Sequence, residues 1–411
     1  MASCDQPGLM PLAEGISKLL AAVSGQRRSE TVPLTAAANR VLAEPVFAPA
    51  AVPGFDNSAM DGYAVRAADM TLGKTFSVQG RALAGSVFEQ RLQADRVVRI
   101  MTGAALPRGA DTVIMQENSR RDGADERVSF SDLPPLGSNV RKAGDDIQQG
   151  SQVISANTRL NAVYLALLAS VGCATVKVYS KTTVGLISTG DELKSPGEAL
   201  TYGDIYNSNA PALVQMLSNL NVDILDYGIL QDDPELFRQT FSRADRECDF
   251  VLTSGGVSVG EADYTRDILQ ELGTIDFWKL AIKPGKPFAF GHLPNSYFIG
   301  LPGNPVSALV TFHLLASQAI RQHQHLGYRP MAQLTAITTQ PIRKSPGRMD
   351  FQRGYWQATT AGVSVAPTRS AQGSHILTSL ANANCYIALE QERGSVAVGE
   401  AVTLWLFDEI F

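Results

Sequence analysis

The residues most able to do chemistry lie in three glycine-rich loops, each following an apolar run. Val184–Ser188 leads into Thr189-Gly190-Asp191-Glu192, and Phe250–Thr253 leads into SGGVSVGEADY at 254–264. Tyr297–Ile299 leads into Gly300-Leu301-Pro302-Gly303-Asn304-Pro305. Glycine lets a backbone approach an anion, and a following helix offers it unpaired N–H groups. One such loop is an ordinary strand-to-helix turn; three on one sheet edge would form a phosphate-binding floor. Carboxylates gather in the same loops: Asp191 and Glu192, Asp232 and Asp233, Glu261 and Asp263. Mg²⁺ takes oxygen ligands, usually one or two carboxylates plus substrate phosphates. Helix capping explains any one pair as well, and Asp232-Asp233-Pro234 reads as a helix start. Asp191 and Glu192, expected to be buried between a strand and a turn, are the better metal candidates.

Basic residues are gathered twice. WKLAIKPGKPFAF (278–290) places Lys279, Lys283 and Lys286 within eight residues, either as an anion cradle or as a lysine-protected edge strand. Arg343, Lys344, Arg348 and Arg353 form the second group, which is equally readable as a solvated loop face. PGFDNSAMDGYA (53–64) interleaves Asp56 and Asp61 with Phe55, Met60 and Tyr63, as a loop lodged against another surface would. His375 follows Gln372-Gly373-Ser374 and is either a ligand contact or a structural histidine.

Several chemistries are disfavoured. There is no GxxxxGK[ST], no GxGxxG after a strand, no HExxH and no Cys/His metal set, so P-loop, Rossmann and zinc enzymes recede. GVSVG (256–260) matches the nucleophile elbow of serine hydrolases around Ser258, with Asp276 and His292 following in triad order. Thr253, Ser254 and Gly255 separate it from the apolar strand, where an elbow needs a sharp turn.

These groups need elements to hold them. The chain has 411 residues, more than one hydrophobic core supports, so several domains are expected. Hydrophobic residues at 45% and charged residues at 18% are ordinary for a globular chain. A net charge of −5 argues against non-specific nucleic-acid binding. Four scattered cysteines and no visible secretory signal suggest a reduced, cytoplasmic protein. The longest uncharged run, 160–176, is too short to span a membrane and reads as a buried helix feeding a strand. Leu9, Leu12, Ile16, Leu19, Leu20 and Val23 share a helical face. Short strands with turn signals fill 74–140. From 175 onward strands and helices alternate, which means a parallel sheet covered on both faces. After Gly327 short strands return.

The fold class is therefore multidomain α/β plus β. An elongated helical N-terminal and dimerisation domain (1–45 with 141–178) carries an inserted β-rich domain (46–140). A doubly wound α/β domain (179–327) and a small C-terminal β-barrel-like domain (328–411) follow.

Ten segments together resemble one family, the molybdopterin molybdenumtransferases or MoeA proteins, related to the E domain of gephyrin. They are PGFDNSAMDGYAV, RIMTGA, ADTVIMQE, NVRKAGDDI, STGDEL, SGGVSVGEADY, FWKLAIKPGKPFAFG, GLPGNPVSA, GRMDFQRG and QGSHI. They run in order through almost the whole chain. Asp145 stands where a Glu is common. The resemblance implies a homodimer that takes adenylated molybdopterin and molybdate, uses Mg²⁺, and releases AMP and molybdenum cofactor. It implies catalytic roles for Asp61, Glu192, Asp263, Lys279 and Lys283, and metal binding by Asp191 and Glu192. Substrate binding would fall to Thr102, Arg141, Asp146, Ser188, Gly190, Asp232, Gly255, Gly256, Ser258, Pro302, Gly303, Asn304, Arg353 and Ser374. The site would sit at the dimer interface. The adenylylating enzyme of the same pathway and apo-molybdoenzymes would be partners; nucleic acid and membrane would not. A non-catalytic scaffold is the competing reading.

Overall fold

The computed structural model describes residues 8–123, 126–256, 264–360 and 362–411. The chain forms two compact units, one from residues up to Glu30 together with Tyr179–Phe411, the other from Thr31–Val178.

In the 31–178 unit, six strands form one sheet in the order Thr112–Met115, Gly62–Val65, Arg96–Ile100, Thr75–Ala82, Arg127–Phe130, Ser119–Asp122. Side chains alternate between the two faces of a strand. Tyr63, Val97, Ile114 and Val128 accordingly fill one buried cluster, and Ala64, Val98, Ile100 and Val113 fill another. Gly62 is required at its position, because a Cβ there would overlap the Ile114 carbonyl of the adjacent strand. Outside the sheet, Leu42, Leu160, Leu168, Val176 and Val178 pack together around the helix Ala162–Ser170. Asn161 caps that helix by accepting the Tyr164 N–H at 3.0 Å. The run expected to be a buried helix is not buried: of its helical residues only Leu168 is, and Val163 is 72% exposed.

The other unit holds a six-stranded sheet in the order Asp223–Leu230, Thr183–Thr189, Phe250–Ser254, Tyr297–Leu301, Pro287–His292, Thr274–Lys279. The first four are mutually parallel. Pro287–His292 runs against both its neighbours, so the expected parallel sheet carries one antiparallel strand near its edge. Helices Asn209–Asn219 and Pro305–Thr311 share one apolar core, and Pro234–Glu247 and Tyr264–Leu272 contribute to a second. Pro305–Thr311 continues through a π-helical turn, Phe312–Ala316, into Ser317–His323. The helix Leu12–Ala22 also belongs here, against expectation. Its Leu12 and Leu19 are buried in the core that contains Leu280, Leu315 and Ile320. The amphipathic face was legible, but its partner was not.

The chain passes from Thr183–Thr189 to its neighbour Asp223–Leu230, then back across to Phe250–Ser254. That reversal opens a crevice beyond the carboxyl ends of Thr183–Thr189 and Phe250–Ser254. The C-terminal strands close on themselves. Met349–Thr359 pairs with Gly362–Pro367, then in turn come Gln333–Thr338, Ala401–Leu406 and Cys385–Leu389, which pairs back with Met349–Thr359. The result is a closed five-stranded barrel filled by Val365, Cys385, Ile387, Leu389, Val402 and Leu404.

Candidate functional site

At the crevice, the parallel register sets Ser188 opposite Ser254. Asn207 donates to the Ser188 hydroxyl at 2.8 Å, while its Oδ1 accepts the Ala210 N–H at 3.2 Å. Asn209 donates to the Ser254 hydroxyl and to the Gly303 carbonyl, each at 2.8 Å. The Gly255 N–H donates to Leu301 O at 3.0 Å, and Gly255 holds φ +98°. A Cβ at Gly255 would stand 2.7 Å from both oxygens of Thr189, so only glycine lets the loop lie this close. These bonds sew three loops around a cleft of about 550 Å³. Thr189, Glu192, Asn209, Ser254, Asn304 and His375 are among the residues that line it.

Beside the cleft lies a carboxylate cluster. Asp191 accepts the Asp232 N–H at 2.9 Å. Burial and the neighbouring charges of Asp191 and Glu192 push the Asp232 carboxyl above its ordinary range. A divalent cation would relieve that repulsion, which fits Mg²⁺ binding here. Asp191 and Glu192 are exposed, contrary to expectation, and so open to a cation and its ligand. Among the described residues no three His, Cys, Asp or Glu side chains converge into a complete metal cage. Asp233 does what its sequence suggested and caps a helix, accepting from Glu235 N–H and Leu236 N–H.

The phosphate floor is only partly realised. At the start of Pro305–Thr311, Pro305 has no N–H, and the Val306 N–H already donates to Ser374 O at 3.0 Å. That bond ties the 372–376 loop to the cleft. Gly190 packs against the Glu192 carboxylate, and Pro302 is buried beneath the loop. Gly256 ends the described part of its loop. Ser258, Glu261 and Asp263 lie outside the described residues.

Lys279 ends the edge strand of the sheet, exposed as an edge lysine would be. That strand is parallel to Tyr297–Leu301, so Lys279 faces the same sheet edge as the crevice, two strand spacings or about 10 Å from Leu301. Lys283 is held at 3.7 Å by the buried Asp350. Arg353 corrects an expectation. It is fully buried and donates to the Ser379 hydroxyl at 2.9 Å, Phe351 O at 3.2 Å and Gly373 O at 3.4 Å. Its backbone is clamped by the Gln372 amide. Its bond to the Gly373 carbonyl supports the 372–376 loop. Lys344 is also buried, its amine capped by three carbonyls, whereas Arg343 is exposed and Arg348 half-buried, so the second basic group is only in part a solvated loop face.

In the 31–178 unit, Asp61 Oδ1 accepts both the Thr102 N–H at 2.8 Å and the Thr102 hydroxyl at 2.7 Å. These bonds hold its carboxyl below the ordinary range. Asp56 accepts from Ala143 N–H and pairs with Lys142, both at 2.9 Å. Arg141 and Val140 pair with Asn57 and Ser58, so two of the motif segments form one small sheet. Arg141 and Asp146 are exposed beside it, and Phe55 and Met60 are about half exposed.

The hydrolase reading fails on topology. His292 pairs with Tyr297, which pairs with Phe250, at the amino end of Phe250–Ser254. A loop leaving the carboxyl end of that strand is at the opposite edge of the sheet. Sequence reasoning missed Asn207 and Asn209. Nothing in their spacing singles them out, and Asn207 also serves the following helix by accepting the Ala210 N–H.

Comparison with known proteins covers nearly the whole chain. Residues 10–172 match the family described as MoeA N-terminal region (domain I and II), 185–322 match the probable molybdopterin binding domain, and 335–407 match the MoeA C-terminal region (domain IV). A molybdopterin molybdenumtransferase of Haemophilus influenzae is 44% identical over 403 residues, covering 98% of this chain and 100% of that protein. One from Nostoc sp. is 38% identical over 325 residues, 77% of this chain and 74% of that protein. The crystal structure of a molybdopterin biosynthesis MoeA protein from Pyrococcus horikoshii superposes with a TM-score of 0.80 at 28% identity, covering 97% of this chain and 100% of that one.

Proposed function

Because this chain belongs to the molybdopterin molybdenumtransferase (MoeA) family and acts in molybdenum cofactor biosynthesis, we propose that it takes adenylated molybdopterin and molybdate, releases AMP and leaves molybdenum on the dithiolene. The observation that carries this is the carboxylate cluster Asp191, Glu192 and Asp232 beside the polar cleft at the sheet's point of reversal. Mg²⁺ would be held by Asp191 and Glu192, with substrate phosphates completing its shell, and would neutralise the pyrophosphate. The protein's own part is positioning and charge. Lys279 and Lys283 supply cations for molybdate, a dianion; Asp350 keeps the Lys283 amine oriented. Arg353 holds the loop bearing Ser374, whose carbonyl fixes the start of the helix at Pro305. Asp263 and Ser258 keep the roles inferred from their motif.

The site is proposed to be shared by two chains. Asp61, preset by Thr102, with Arg141 and Asp146, would face the cleft of a partner. The exposed Phe55 and Met60 beside Asp61 and the exposed Val163 on an apolar helix support a homodimer. No described helix is long and apolar enough to cross a membrane. The proposed setting is the cytoplasm, where an adenylylating enzyme would deliver substrate and apo-molybdoenzymes would take product. The test is AMP release from adenylated molybdopterin with and without molybdate and Mg²⁺. Release that requires both supports the assignment. No release from folded dimer would leave a binding protein in its place.

A further inference from the structure

Two side chains in the cleft end in polar atoms without partners. The Asn209 amide is fixed in orientation, because its nitrogen meets the Gly303 carbonyl and a carbonyl can only accept. Its Oδ1 is then a buried acceptor with no donor. The Thr189 hydroxyl, 2.7 Å from the site a Cβ on Gly255 would fill, is likewise buried and unpartnered. Both residues are more than nine-tenths buried, and both line the cleft. A buried polar group without a partner is costly, and native proteins leave few of them.

The remaining lining narrows what could meet them. Among the described residues, no Lys or Arg lines the cleft, and Glu192 adds a negative charge. A dianion such as molybdate or phosphate would enter without a counter-charge and against a carboxylate. One wall is Ile205 and Tyr206, both about half exposed. An apolar and aromatic wall above amide and hydroxyl acceptors suits a flat heterocycle with N–H groups on its edge.

We propose that this cleft recognises the 2-amino-4-oxopyrimidine edge of the pterin, with Asn209 Oδ1 and Thr189 Oγ1 accepting from its N–H groups and Ile205 and Tyr206 flanking the ring. The pyrophosphate then lies outward, towards Asp191 and Asp232, and molybdate towards the lysines. Asn209 and Thr189 become specificity-determining residues for the substrate's ring. This inference rests on the molybdopterin reading of the same site.

The test uses the full-length protein and two fluorescent probes, pterin and lumazine. Lumazine replaces the 2-amino donor with an oxygen. Wild type is expected to bind pterin at least tenfold more tightly than lumazine. Thr189→Val keeps the shape and removes the orphan hydroxyl, so it should bind pterin several-fold more weakly while melting no lower than wild type. Asn209→Asp keeps an oxygen acceptor but loses the donors to Ser254 and Gly303; it should melt lower yet retain preference for pterin over lumazine. Equal affinity of wild type for the two probes, or unchanged pterin affinity in Thr189→Val, overturns the inference. AMP release in the same preparation separates the failures. Molybdate-dependent release without pterin preference removes only the ring assignment. Absence of both removes the molybdopterin reading as well.

Discussion

Replacing Arg353 distinguishes a residue that holds a loop from one that holds an oxyanion. The buried guanidinium donates three hydrogen bonds, to Ser379, Phe351 O and Gly373 O. Hydrogen bonds from a charged donor contribute about 1.5–3 kcal/mol each, and removing the donor leaves its acceptors buried and unpaired. Burial of the charge itself is costly, and burial depresses the guanidinium's pKa. The net loss for Arg353→Ala is therefore about 3–5 kcal/mol rather than the full sum. At this chain size that lowers the melting temperature by about 4–6 °C. Arg353→Lys keeps the charge but cannot reproduce the planar fork, so it should recover less than half of the loss. Differential scanning calorimetry gives the stability, and AMP release at varied molybdate gives the kinetics. Both variants should lose kcat with little selective rise in the KM for molybdate. A variant that melts like wild type and raises only that KM would refute the strut and restore direct contact.

Glu192→Gln should abolish Mg²⁺-stimulated AMP release while folding normally, because Glu192 is exposed and the neutral amide relieves the Asp232 repulsion; this is measured by Mg²⁺ titration of release. Lys279→Ala should raise the molybdate requirement, read in the same assay at limiting molybdate. If the site is shared between chains, Asp61→Asn and Glu192→Gln should each be inactive. Mixed and reassembled, they should recover about a quarter of wild-type activity, since half the dimers are hybrid and each hybrid has one intact site. His323 is buried, which pulls its pKa down to about 4. Between pH 6.5 and 4 the unfolded chain takes up a proton that the folded one refuses, so stability falls as pH falls, by up to about 3 kcal/mol. His323→Gln should flatten that part of the melting curve against pH.

Much of this architecture was legible because hydrophobic period reports burial. The strands around 183, 250, 297 and 385 were visible as apolar runs, and the helix after 233 as an Asp-Pro start. What period cannot report is direction. Pro287–His292 reads the same whichever way it runs, so its antiparallel pairing was invisible. Met349–Thr359 was missed for another reason: Asp350, Gln352 and Arg353 interrupt its apolar pattern, yet all three are buried. A buried charge looks like a loop until its partners are seen. The same limit hid Asn209, whose significance lies in an oxygen that nothing meets. Loop positions of the acidic residues were readable, but their mutual approach at Asp191 and Asp232 came only from folding.

The helix Leu12–Ala22 leaves the ribosome long before the segments that bury it. Leu280 and Leu315 are translated about 270–300 residues later. At about 5–20 residues per second, the wait is on the order of tens of seconds. Residues 31–178 can fold in that interval, being complete in sequence. The helix cannot finish, and its leucine face stays exposed on the nascent chain. Newly made protein should therefore be most prone to chaperone capture at this N-terminal segment. A ribosome-release experiment with Leu12 and Leu19 changed to Gln should lessen capture during synthesis while weakening the finished fold.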